Sequence, residues 1–152
     1  MHELKPILLA EDSPNDAELT LEALADNNLA NRVTHVKDGV EAIEFLRCEG
    51  KYQTRKPVHP AVVILDIKMP RMDGIEVLRA IRSDPSLKMI PVVMLTSSRE
   101  EQDLIRSYEL GINAYVVKPV NFSDFVSAVK QLGGFWAVLN ELPPGEASVH
   151  GK

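Results

Sequence analysis

Val62-Val63-Ile64-Leu65-Asp66-Ile67-Lys68-Met69-Pro70 carries the reading of the fold. Four apolar residues in a row, three β-branched and the fourth leucine, with no polar alternate, describe a strand buried on both faces, as in a parallel sheet covered by helices. The run stops on a carboxylate and a turn. Three further runs repeat the plan: Ile7-Leu8-Leu9-Ala10 leads to Glu11-Asp12, Val92-Val93-Met94-Leu95 to Thr96, and Ala114-Tyr115-Val116-Val117 to Lys118. Arg32 to Val36 supplies one more strand.

Helical spacing fills the intervals. Ser13-Pro14-Asn15-Asp16 offers an N-cap, a proline at the first helical position and an acid three residues after the cap, ahead of Ala17, Leu21, Leu24 and Ala25. Asp38-Gly39 opens a helix carrying Val40, Ile43, Phe45 and Leu46, and Gly74 one carrying Ile75, Val77, Leu78 and Ile81. Ser98 or a neighbour begins a fourth, with Leu104, Ile105, Tyr108 and Leu110 before Gly111. Asn121 caps a last one through Phe122, Phe125, Val126, Val129 and Leu132, extended towards Phe135, Trp136 and Leu139. Strand and helix thus alternate five times, which predicts a single α/β domain with right-handed crossovers and helices on both faces. The stretch from Glu49 to Pro60, with Gly50, Pro57 and Pro60, breaks the rhythm and reads as a long exposed loop.

The chain has 152 residues, 45% of them apolar, enough for one core and too few for a second domain. Its 17 basic and 22 acidic residues give a net charge of -5, opposite to the footprint of a nucleic-acid binder. Cys48 is the one cysteine, so no internal disulfide forms and a reducing compartment is expected. No apolar run reaches the ~18 residues of a membrane span and the first residues lack a leader pattern, so the expectation is a cytoplasmic protein.

In open α/β sheets functional groups gather beyond the carboxyl ends of the strands, where the strand order reverses. Glu11, Asp12 and Asp66 converge there, and mutual repulsion among three carboxylates is relieved by a hard cation with oxygen ligands, for which Mg²⁺ is the natural choice. A carboxylate can attack phosphorus to give an acyl phosphate if the charge on the transferred oxygens is neutralised. Lys118 offers an ammonium for that purpose and Thr96 a hydroxyl.

From about Pro6 to Leu132 the chain resembles the receiver domain of two-component response regulators. The resemblance rests on Glu11-Asp12, on Asp66 to Pro70 with Asp73-Gly74, on Thr96-Ser97 and on Lys118-Pro119. It implies a flavodoxin-like (βα)5 sheet in the order 2-1-3-4-5. It also implies that Asp66 is the phosphoacceptor and that Asp12, Asp66 and the backbone carbonyl of Lys68 ligate Mg²⁺, with Glu11 acting mostly through metal-bound water. Thr96 and Tyr115 would be the switch pair, and Lys118-Pro119 a cis peptide. The first acid is Glu where Asp is commoner in the family, which lengthens the arm without changing the charge.

The long loop, Phe135-Trp136 and Leu142-Pro143-Pro144 further resemble stand-alone regulators that accompany bacterial phytochromes. That likeness implies a sensor histidine kinase, such as a bacteriophytochrome, as partner. It also implies a homodimer through the fourth helix, fifth strand and fifth helix, with Tyr108, Tyr115, Phe135 and Trp136 on the dimer or partner face. Residues 1–142 would form the receiver with its extended last helix, and 143–152 a disordered tail. A phosphorelay intermediate or phosphate sink, passing phosphate to a histidine phosphotransfer protein, would use the same residues. A metabolite phosphohydrolase would need a second Asp where Lys68 stands, and nucleotide binding would need a glycine-rich loop after the first strand.

Overall fold

A computed structural model describes residues 5–25, 33–97, 101 and 114–131. Five strands, β1 (Ile7–Ala10), β2 (Val33–Val36), β3 (Val62–Asp66), β4 (Val92–Thr96) and β5 (Tyr115–Val117), alternate with α1 (Pro14–Ala25), α2 (Gly39–Arg47), α3 (Gly74–Ser83) and a closing helix, Phe122–Gln131. All strand pairs are parallel and the order is β2-β1-β3-β4-β5. The order reverses between β1 and β3, whose registered ends, Ala10 and Leu65, deliver Glu11 and Asp66 side by side.

Every residue of β1, β3 and β4 is buried, as their unbroken apolar runs require. The strands' two-residue period divides the core in two. Leu8, Ala10, Val63, Leu65 and Met94 face Phe45 and Leu46 of α2 and Leu78 and Ile81 of α3. Ile7, Leu9, Ile64, Val93 and Leu95 face Ala17 and Leu24 of α1 and Phe125 and Ala128 of the closing helix. The sheet is therefore wound on both sides.

Side-chain caps fix where the helices start. Ser13 Oγ accepts from Asp16 N at 3.2 Å, Asp38 Oδ1 from Glu41 N at 2.8 Å, and Asn121 Oδ1 from Asp124 N at 2.8 Å. At α3, Asp73 and Glu76 form a reciprocal capping box at 2.9 Å in each direction. That pair, overlooked behind Gly74 in the sequence, holds the turn leading out of the Asp66 loop. β5 begins at Tyr115 rather than Ala114. The fourth helix expected from Ser98, with Tyr108, and the extension through Phe135 and Trp136 lie outside the described residues, apart from Glu101, which is helical.

Residues 49–60 form a largely exposed loop, as expected, but one anchored by several side chains. Gly50–Tyr52 form a 3-10 turn, and the Tyr52 hydroxyl donates to Glu41 Oε2 at 2.7 Å. The Tyr52 ring meets Phe45 edge to face at 5.1 Å between centroids, and the Arg55 guanidinium stacks 4.0 Å from the centre of the same Phe45 ring. Arg55 also donates twice to Phe45 O, at 3.0 and 2.8 Å, and once to Val58 O at 2.9 Å. The bonds to Phe45 O meet a carbonyl in the last turn of α2, which helix-internal bonds leave open, so the loop is fastened to that helix.

Candidate functional site

The carboxyl end of the sheet brings Glu11, Asp66 and Lys118 into one buried cluster. Glu11 is fully buried and Asp66 is 5% exposed. Lys118 Nζ lies 2.9 Å from Glu11 Oε1, 3.1 Å from Asp66 Oδ2 and 3.1 Å from Asp16 Oδ2. The backbone of the following strand end is tied in by Lys118 N donating to Thr96 O at 2.8 Å. Lys118-Pro119 is cis, as the resemblance implied.

The loop after β3 is tied down at both ends. Gly74 N donates to Ile67 O at 2.8 Å, and a Cβ placed on Gly74 would lie 2.2 Å from the backbone oxygen of Asp66. Only glycine lets α3 start this close to the candidate phosphoacceptor. Arg71, at φ 67°, donates through Nε and Nη2 to the two oxygens of Asp38 at 3.0 and 3.1 Å, clamping the loop to the start of α2. His35 Nε2 donates to the Glu11 carbonyl at 2.7 Å from the neighbouring strand.

The electrostatics are those of a site short of positive charge. Burial first, and the adjacent Glu11 carboxylate second, push the Asp66 carboxyl up to about 7. Burial works against the Lys118 ammonium, but Glu11, Asp66 and Asp16 outweigh it and hold the amine charged, above its ordinary value. Carboxylate oxygens of Glu11, Asp12 and Asp66 all lie within 4.8 Å of one another. Glu11 Oε1 is buried and faces the Lys118 ammonium as an ion pair, while the Thr96 hydroxyl is buried with no hydrogen bond to the described residues. Converging carboxylate oxygens fit a hard divalent cation.

The remaining expected residues fall as follows. Thr96 is fully buried at the end of β4. Asp12 and Lys68 border an open cavity of about 580 Å³ together with Ile67, Asp73 and Glu101. The Lys68 side chain is 81% exposed and points its ammonium to Glu101 Oε2 at 3.5 Å, leaving its place in the loop, two residues past Asp66, as its link to the cluster. Tyr115 is half-buried and packs against the core on the α2 and α3 side of the sheet. Tyr108, Phe135 and Trp136 lie outside the described residues.

Two residues of the site were not singled out in the sequence. Glu101 is buried and accepts from the Ser97 amide at 2.8 Å and the Ser97 hydroxyl at 3.2 Å. Asp16, read as a helix-start acid, reaches Lys118 across 102 positions of chain. Nothing in the local pattern of either distinguishes it from a cap or a surface acid.

The family model for the response regulator receiver domain matches residues 7–130. Response regulator Rcp1 of Synechocystis sp. is 40% identical over 139 residues, 91% of this chain and 93% of its own. Among solved structures, the bacteriophytochrome response regulator AtBRR is 58% identical with a TM-score of 0.86, covering 92% of this chain and 100% of that one. The phosphorylated cyanobacterial phytochrome response regulator RcpA is 42% identical, TM-score 0.70, over 93% and 99% of the two chains. Rcp1 itself has been solved in a Mn²⁺-bound form, TM-score 0.69 over 91% and 99%. With the parallel sheet order, the buried acidic cluster and the match over most of its length, the chain belongs to the response regulator receiver domain family.

Proposed function

We propose that Asp66 accepts a phosphoryl group from the phosphohistidine of a sensor histidine kinase and that the resulting acyl phosphate switches the association of the chain. The observation that carries this reading is the buried carboxylate of Asp66 held 3.1 Å from Lys118 Nζ beside a second carboxylate, Glu11. An Asp66 oxygen attacks phosphorus, the O–P bond forms as the P–N bond breaks, and the released imidazole takes up a proton from water. Lys118 meets charge on the transferred oxygens, and the Thr96 hydroxyl, without a partner among the described residues, is available to donate to them. Glu11, Asp12, Asp66 and the Lys68 carbonyl would hold Mg²⁺, which supplies the rest of the neutralising charge.

The names of the relatives support a bacteriophytochrome as the kinase. Residues 1–142 act as the receiver and 143–152 as its tail, in the cytoplasm. Self-association through the fourth helix, β5 and the closing helix is supported by β5 lying at the sheet edge among the described strands, with Val117 44% exposed. Incubating a phosphorylated phytochrome kinase with the chain tests the reading. Label should pass to the unsubstituted chain and not to Asp66→Asn, with a change in sedimentation on transfer. Transfer to Asp66→Asn, or none to the unsubstituted chain from any sensor kinase, would overturn it.

A further inference from the structure

We propose that Asp16 is a positioning residue for Lys118, and so sets the rate at which Asp66 is phosphorylated; this rests on the phosphoacceptor reading above. A lysine ammonium has three N–H donors, and here three carboxylates surround it, at 2.9 Å from Glu11, 3.1 Å from Asp66 and 3.1 Å from Asp16. Glu11 and Asp66 belong to the acidic cluster that fits a cation, whereas Asp16 does not. Asp16 therefore acts on the lysine alone.

Its backbone gives it a fixed perch. Asp16 N donates to Ser13 Oγ at 3.2 Å, and its carbonyl accepts from Thr20 Oγ1 at 3.0 Å, so the first turn of α1 holds the carboxylate at the mouth of the site. The Lys118 side chain is 15% exposed and that of Asp16 37%, so Asp16 is the solvent-facing member of the pair, whereas Glu11 is fully buried. When Asp66 becomes an acyl phosphate, the charge that faced Lys118 moves from the carboxylate to the phosphoryl oxygens. The ammonium must turn one donor to them without leaving the site. Glu11 holds it from within and Asp16 from without. Removal of Asp16 turns the outer donor to water and lets the long side chain spend part of its time facing solvent.

The test compares Asp16→Asn, Asp16→Glu and the unsubstituted chain, using phosphoramidate as donor with Mg²⁺. Labelling at Asp66 is followed over a range of donor concentrations, and Mg²⁺ affinity is measured separately by calorimetry. Asp16→Asn should lower the maximal labelling rate about fivefold, the scale of one partly exposed ion pair. The half-saturating donor concentration and Mg²⁺ affinity should stay unchanged, and Asp16→Glu should recover most of the rate. Should Asp16→Asn fail to fold, Asp16→Ser, which keeps a small polar group in the first turn, takes its place. An unchanged rate overturns the proposal, as does a fall in Mg²⁺ affinity matching the fall in rate, or an Asp16→Glu chain as slow as Asp16→Asn. If the unsubstituted chain takes no label at Asp66, the phosphoacceptor reading itself fails and this role with it.

Discussion

Asp66 is the residue at which burial and charge are most at odds. Its carboxyl, ordinarily 3.8, is pushed up to about 7 by burial and by Glu11. Because the folded chain holds this proton more tightly than the unfolded one, the metal-free fold loses stability as pH rises from about 4 to about 7. A divalent cation competes with that proton and favours the ionised form. Mg²⁺ should therefore raise the melting temperature more above about pH 7 than below about pH 5, and Asp66→Asn should remove most of that pH dependence. Calorimetric melts with and without Mg²⁺ across this range read the effect. A stabilisation by Mg²⁺ that is equal at both ends would contradict the assignment of Asp66 as a ligand.

At the scale of elements, the chemistry depends on how closely α3 approaches the end of β3. The missing side chain at Gly74 lets the first turn of the helix rest on the Asp66 carbonyl, and the Asp73–Glu76 capping box fixes that turn. Gly74→Ala forces the loop or the helix to move, at a cost of about 1–3 kcal/mol in stability. It should also weaken Mg²⁺ binding, since the loop carrying Lys68 must shift, whereas a surface Gly→Ala in a helix would be expected to stabilise. Chemical denaturation and metal titration of that variant measure both effects. Unchanged stability and affinity would mean that the close approach does not constrain the site.

Much of this was legible in the chain. β1, β3 and β4 are apolar throughout because helices cover both their faces, and such runs cannot be confused with surface elements. Glu11, Asp12, Asp66, Thr96 and Lys118 stood out because each follows a buried run, where a polar residue has reason to sit only beyond the strand. What stayed hidden depends on tertiary contact. Tyr52 and Arg55 sit in a loop containing glycine and proline, and only the ring and carbonyl of Phe45, in the last turn of α2, anchor that loop to the fold. Asp16 and Lys118 lie at opposite ends of the chain, so their ion pair exists only once the sheet has formed.

As a whole molecule, the chain is a parallel sheet whose switch point gathers acids around one lysine, and the central claim is that this cluster makes an acyl phosphate. The most direct measurement is intact-mass analysis after incubation with phosphoramidate and Mg²⁺, with the modified residue located by peptide mapping. The account predicts the gain of one phosphoryl group, at Asp66, lost on treatment with hydroxylamine and absent when Mg²⁺ is chelated. A stable modification at another residue, or no modification at all, would contradict it.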